Sequence, residues 1–248
     1  DIVEPASNSI DETFNKFIHI IPRADDSIVC IAINESLKKT SSKPAILARL
    51  LELYEIYFYN PNSPFRNDEY YIAVLQYITQ SDDTTEGDRL HAEFKLELAS
   101  KNRINARAAD VAYTLNDGKT GSLYSIINPF TLLMFYNPDC YSCEELIAYI
   151  EESPIITKAI EKNKLAILAF YPDSDLSIWK RNLKKIPADW INGYDDKGVV
   201  KSQLLYDLKA IPTLYLLDRD KKVLLKDADL EAIEILLRNE IFGEKTTG

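Results

Sequence analysis

Two cysteines two residues apart, Cys140-Tyr141-Ser142-Cys143, are the side chains in this sequence best placed to do chemistry. They follow an apolar run, Thr131 to Tyr136, and precede a helical pattern that begins at Glu144. On the first turn of a helix this spacing brings two sulfurs together, which suits dithiol–disulfide exchange. The positive end of the helix dipole favours a thiolate at the first cysteine over a free thiol, whose pKa is about 8.5. A second element supports the pair: Ile211-Pro212-Thr213, running into the apolar stretch Leu214 to Leu217. The same cysteines could form half of a zinc site. That needs a second ligand pair, and Cys30, His19 and His91 each stand alone in the sequence. The reading is therefore of a site with no metal and no cofactor.

The elements that must hold this pair follow from hydrophobic periodicity. Val111 to Leu115 predicts a strand, turned by Asn116-Asp117-Gly118, with Ser122 to Ile126 pairing back onto it. The continuous apolar runs Thr131 to Tyr136 and Leu165 to Tyr171 predict buried strands. Between them a helix is expected from Cys140 to Ser153, continuing or restarting after Pro154. Helices are expected at Leu176 to Lys185 and near Lys201 to Leu208. Thr213 to Leu217 predicts a third buried strand, with Asp218-Arg219-Asp220-Lys221 turning into Val223 to Leu225. Leu230 to Ile241 predicts the last helix.

The first hundred residues read differently. Of seven glycines only Gly87 precedes residue 103. Ser9-Ile10-Asp11-Glu12 has the form of a capping box, followed by Phe14, Phe17, Ile18 and Ile21 at helical spacing up to Pro22. A second helix is expected over Asp26 to Lys39, with Cys30, Ile33 and Leu37 on one face. A lone cysteine there behaves as a small hydrophobe. Pro44 opens a third, striped by Ile46, Leu50, Leu53 and Tyr57, and Asn60-Pro61-Asn62-Ser63-Pro64 breaks it. A fourth carries Tyr71, Val74, Leu75 and Ile78; a fifth carries Leu90, Phe94 and Leu98. The organisation is thus an all-α bundle over residues 1–102 and an α/β domain over residues 103–248, with the chemistry in the second.

Composition narrows the function. At 248 residues and 46% hydrophobic, the chain is long enough for two cores. No apolar stretch approaches the roughly 20 residues of a membrane helix. A net charge of −10 argues against a nucleic-acid backbone or an anionic membrane surface as partner. Residues 1–102 hold 10 Lys/Arg against 17 Asp/Glu, a net −7, so the bundle is the more acidic part. Three cysteines do not make a disulfide scaffold. No signal peptide is read, and a start at Asp1 fits one that has been removed.

Strand, helix, strand, helix, then a hairpin and a final helix is the thioredoxin plan. Residues 103–248 resemble the thioredoxin-like domains of the extracytoplasmic thiol–disulfide oxidoreductases, a group that includes cytochrome-maturation reductases. The matching pieces are Ala109-Asp110-Val111, Asp117-Gly118-Lys119, Cys140-Tyr141-Ser142-Cys143, Ile211-Pro212-Thr213 and Leu217-Asp218. Phe135-Tyr136-Asn137-Pro138-Asp139-Cys140, with Trp190-Ile191-Asn192-Gly193-Tyr194 downstream, is similar to two-domain Bacteroidetes proteins whose N-terminal helical part is of unknown function.

The resemblance implies a fold, roles and a location. The fold would be a three-layer α/β/α thioredoxin-like domain with a mixed sheet. Cys140 would be the attacking nucleophile, Cys143 the resolving cysteine and Pro212 the cis-proline beside them. Tyr141, Ser142 and Ile211 would line the substrate. The partners would be a protein thiol or disulfide and an upstream electron donor. The location would be the periplasm or cell envelope, with a lipid anchor on a full-length precursor.

Three departures stand out. Asp139 replaces the usual Trp, Met134 an interior acid found in many thioredoxins, and Leu146 a Glu of some relatives. Asp139 would either oppose the Cys140 thiolate, or point to solvent or cap the helix. Glu144 and Glu145 would serve the helix dipole and solvent. A redox-inert interaction protein on the same scaffold is the alternative reading.

Overall fold

Five helices fill the first part of the chain in the computed structural model, which describes residues 7–243. They are α1 (Ser7–Ile20), α2 (Asp26–Thr40), α3 (Pro44–Phe58), α4 (Asp68–Gln80) and α5 (Glu86–Ala99). Ser9 lies inside α1, so the expected capping box at Ser9 is not the helix start; the start is upstream. Pro22 follows the end of α1 in a short 3-10 turn, Ile21–Arg23. Phe14, Ile18, Ile21, Ile33 and Leu37 are buried as their spacing demands. In α3 Leu50 and Leu53 are buried as expected, joined by Leu47, Tyr54 and Phe58, while Ile46 and Tyr57 sit at the margins of the stripe.

The fifth helix turns the other way from expectation. Leu90 and Phe94 are 61% and 48% exposed, while Ala92 and Ala99 are buried with Leu96 half-buried beside them. Small side chains let α5 lie close against α4, which is buried from Tyr70 to Leu75. Shape decided the face, because two alanines fit a close helix pair better than Leu and Phe would. A capping box of Thr85 and Asp88 opens the helix.

The chain divides after Ser100, and the second unit is built on one sheet. Its strands are β1 (Ala112–Thr114), β2 (Thr120–Ser122), β3 (Phe130–Phe135), β4 (Leu165–Tyr171), β5 (Ile191–Tyr194), β6 (Thr213–Asp218) and β7 (Val223–Lys226). The sheet order is β2-β1-β5-β4-β3-β6-β7. β3 lies inside the sheet beside the central strand β4, parallel to β4 and antiparallel to β6. Alternation in β3 sends Leu132 and Met134 to one face and Leu133 and Phe135 to the other, and both faces are covered. On the first face lie α6 (Tyr141–Glu152), α7 (Pro154–Glu161), α8 (Leu176–Arg181) and α10 (Leu230–Phe242). This is the thioredoxin-like α/β/α fold with a mixed sheet.

Three local differences from the sequence reading have physical causes. β5 was not anticipated as a strand; it is four residues long and includes Gly193, where a Cβ would fall 2.6 Å from Tyr113 Cβ. β2 lies earlier than expected, since Leu123–Ser125 turn as 3-10. The helix expected near 201–208 is only α9 (Val199–Ser202). Beyond it, Lys101 and Asn102 donate to the Leu204 and Leu205 carbonyls, and Tyr206 Oη donates to the Ala109 carbonyl. Those tertiary bonds replace the helical ones.

Candidate active site

β3 ends at Phe135, and Asn137 starts the turn into α6. Asn137 Oδ1 accepts from the Asp139 N–H at 3.0 Å, and its carbonyl accepts from the Cys140 N–H at 3.1 Å. Cys140 then stands as the N-cap residue of α6, with no side chain capping the helix. Its carbonyl accepts from the Cys143 and Glu144 N–H groups. Cys140 is half-buried; Cys143, within the first turn of α6, is 1% exposed and packs into the core with Ile147 and Ile150.

That burial sets the electrostatics of the second sulfur. Desolvation, above all, pushes the Cys143 thiol up to about 12. The neighbouring Cys140 and the Glu144 carboxylate push the same way, while a backbone hydrogen bond from Asn137 favours the thiolate.

The other predicted residues gather here. Ile211–Pro212 is a cis peptide. The Ile211 carbonyl oxygen lies 3.8 Å from Cys140 Sγ, which donates to it. Ile211 and Pro212 are half-buried. Tyr141, 72% exposed, and Ser142 stand on the solvent side of the turn. Of the helical unit's candidates, Cys30 is half-buried and its Sγ approaches the Glu69 carbonyl at 3.9 Å. Among the described residues no three His, Cys, Asp or Glu converge as a metal site.

Asp139 does not cap α6. Its Oδ1 accepts from Asn182 Nδ2 at 3.0 Å. Glu144 is not simply solvated either, because it pairs with Lys185. The sequence reading missed Asn182 and Lys185, which come from the segment after α8, some forty residues away. It also left unassigned Asn192, whose Oδ1 accepts from Tyr136 Oη at 2.7 Å and Trp179 Nε1 at 3.1 Å behind the site.

The chain is 39% identical to a thioredoxin-like protein from Bacteroides caccae, whose crystal structure matches with a TM-score of 0.92 over 95% of this chain and 85% of that one. It belongs to that thioredoxin-like family. Residues 3–102 match a family model described as a domain of unknown function, DUF5106. The C-terminal domain of an uncharacterized protein from Bacteroides fragilis is 45% identical over 56% of this chain and 99% of its own, with a TM-score of 0.55. A thiol:disulfide interchange protein from a Bacteroides species, 17% identical over 58% of this chain and 93% of its own, shares the fold at a TM-score of 0.50. No curated protein matches the sequence.

In this thioredoxin-like protein the positions of the missing carboxylates are apolar in fact as well as in sequence. Met134 is fully buried in β3, and Leu146 packs at the margin of the same core. A proton leaving Cys143 thus meets no interior acid at either position. Among the described residues, no helix is long and apolar enough to cross a membrane.

Proposed function

We propose that this protein is a thiol–disulfide oxidoreductase of the Bacteroidetes cell envelope, working through Cys140 and Cys143 as a reductant. The observation that carries the reading is the pairing of a half-buried Cys140 at the start of α6 with a buried Cys143 in the same turn, faced by the Ile211 carbonyl.

The chemistry balances simply. The Cys140 thiolate attacks one sulfur of a substrate disulfide, and the other substrate sulfur leaves as a thiolate that takes up a proton. Cys143, on losing its proton, attacks Cys140 and releases the second substrate thiol. The substrate gains two electrons and the protein keeps a Cys140–Cys143 disulfide. A dithiol donor upstream restores the reduced form. Tyr141, Ser142 and Ile211 would contact the substrate, with Pro212 beside them. The acidic helical unit would select partners, and a lipid anchor on a longer precursor would hold the protein at the envelope.

The raised Cys143 thiol and the apolar Met134 and Leu146 favour a second reading, a redox-inert interaction module. Insulin reduction with dithiothreitol separates the two. Wild type should accelerate precipitation and Cys140→Ser should abolish the acceleration; equal rates with and without wild-type protein would favour the inert module.

A further inference from the structure

The turn that carries Cys140 is held from outside its own helix. Asn182 follows α8, and Lys185 ends the 3-10 turn Leu183–Lys185. Asn182 Nδ2 donates to Asp139 Oδ1 and to the Ile178 carbonyl, each at 3.0 Å, so its amide is itself fixed to α8. Lys185 Nζ donates to the Pro138 carbonyl at 3.2 Å and pairs with the Glu144 carboxylate. These contacts fall two residues before, one before and four after Cys140. One ammonium therefore bridges both flanks of the nucleophile's turn.

The charges around that turn are mostly negative. Asp139, Glu144 and Glu145 stand on the turn and on α6. Asp173 and Asp175, from the segment between β4 and α8, act with Asp139 on the Tyr171 hydroxyl, but Asp173 pairs with Lys201 and Asp175 is offset by Arg181 of α8. From the loop before β6, Lys209 comes two residues ahead of Ile211, but it is occupied by Asp207 and Asp227. Tyr136 and Tyr171 are kept neutral by burial. A carboxylate near a sulfur disfavours a second anion, and an ammonium bound there offsets it.

We propose that Lys185 is a positioning residue for Cys140: it ties the Pro138–Glu144 turn to the segment after α8 and sets an ammonium against the turn that carries the sulfur. The inference rests on Cys140 being the nucleophile of the proposed exchange. Asn182 is the uncharged half of the same clamp.

The test is alkylation of the reduced full-length protein with limiting iodoacetamide, following the Cys140 peptide by mass spectrometry from pH 5 to 10. Lys185→Met should slow labelling at pH 7 by roughly threefold or more and move the rate profile to higher pH. Lys185→Arg keeps the charge and reaches the same acceptors, so it should stay near wild type. Glu144→Gln should speed labelling, since it removes a carboxylate and leaves the lysine. A merely structural tie predicts the same direction for Lys185→Met and Glu144→Gln, because both break one ion pair. That outcome, or an unchanged profile in Lys185→Met, would overturn the proposal. Alkylation reads the thiol and not the exchange. Failure of wild type to reduce insulin would therefore remove the proposed function while leaving the order of these labelling rates to stand or fall separately.

Discussion

Cys140 Sγ donates to the carbonyl oxygen of Ile211 across 3.8 Å, joining residues 71 positions apart at the mouth of the proposed site. The contact sets the start of α6 against the loop that enters β6. Cys140 there is half-buried, and Cys143 lies behind it within the core. The division of labour proposed for the two sulfurs rests on that difference in burial.

Burial of Cys143 makes stability depend on alkaline pH. The thiol is neutral in the folded state up to about 12, while in the unfolded chain it ionises near 8.5. The unfolded state therefore loses its proton first. The stabilising contribution is complete below about pH 8.5 and is lost as pH rises from there toward about 12. Its slope is at most about 1.4 kcal/mol per pH unit. Reduced wild type should lose stability faster than Cys143→Ala between pH 8.5 and 10.5 in urea titrations. Comparing the two cancels the buried tyrosines, which shift in the same direction. Parallel curves would mean that Cys143 ionises as freely folded as unfolded.

Asp139 gives a second prediction. Its carboxylate accepts from Asn182 and leaves α6 uncapped, so its loss removes no cap. An Asn at this position can still accept that hydrogen bond. We expect Asp139→Asn to cost less than about 0.5 kcal/mol of stability, as surface changes do, and to raise the Cys140 alkylation rate at pH 7. A large loss of stability with unchanged alkylation would assign Asp139 a structural role.

The boundary between the units is testable by truncation. The B. fragilis C-terminal domain, matched over 99% of its own length, covers 56% of this chain, and the second unit here contains the whole sheet. A fragment from residue 103 should fold, but one from Lys101 should be more stable. Lys101 and Asn102 donate to Leu204 and Leu205, and the Lys101 carbonyl accepts from Lys226. At about 1 kcal/mol for each hydrogen bond, the longer fragment should gain roughly 2–3 kcal/mol. Equal unfolding midpoints would show that these bonds exchange for water without loss.

Asn192 anchors the floor of the site. Its Oδ1 receives both Tyr136 Oη and Trp179 Nε1. Asn192→Leu strands two buried donors, each costing about 1–3 kcal/mol. The expected loss is about 3 kcal/mol in chemical denaturation, partly restored by Tyr136→Phe in the double variant. Additive losses would mean that the tyrosine finds another acceptor.

How much of this was legible in the sequence depended on whether a signal was local. The runs at β3, β4 and β6 gave strands within a residue or so of their ends, because a strand covered on both faces must be apolar throughout. The cysteine pair and Ile211-Pro212 were legible as motifs. The misses came from contacts distant in sequence. Leu90 and Phe94 form an apolar pair at helical spacing, yet two alanines fit α4 better. The chain after α9 left its helix for side chains a hundred residues away. β5 carries too few residues to announce itself. Asn182 and Lys185 are ordinary surface residues until the fold sets them against Asp139 and Glu144.

The most direct test of the central claim is a redox titration of the full-length protein in dithiothreitol buffers, counting the Cys140–Cys143 disulfide by mass spectrometry after acid quenching and alkylation. With Cys143 held as a neutral thiol in the core, the reduced form gains nothing from a stabilised thiolate at that position. A reversible two-electron transition is expected, with a midpoint nearer the roughly −270 mV of thioredoxin than the roughly −120 mV of a strong oxidant. Two thiols that stay independently alkylatable under every oxidising condition, with no intramolecular disulfide, would contradict it.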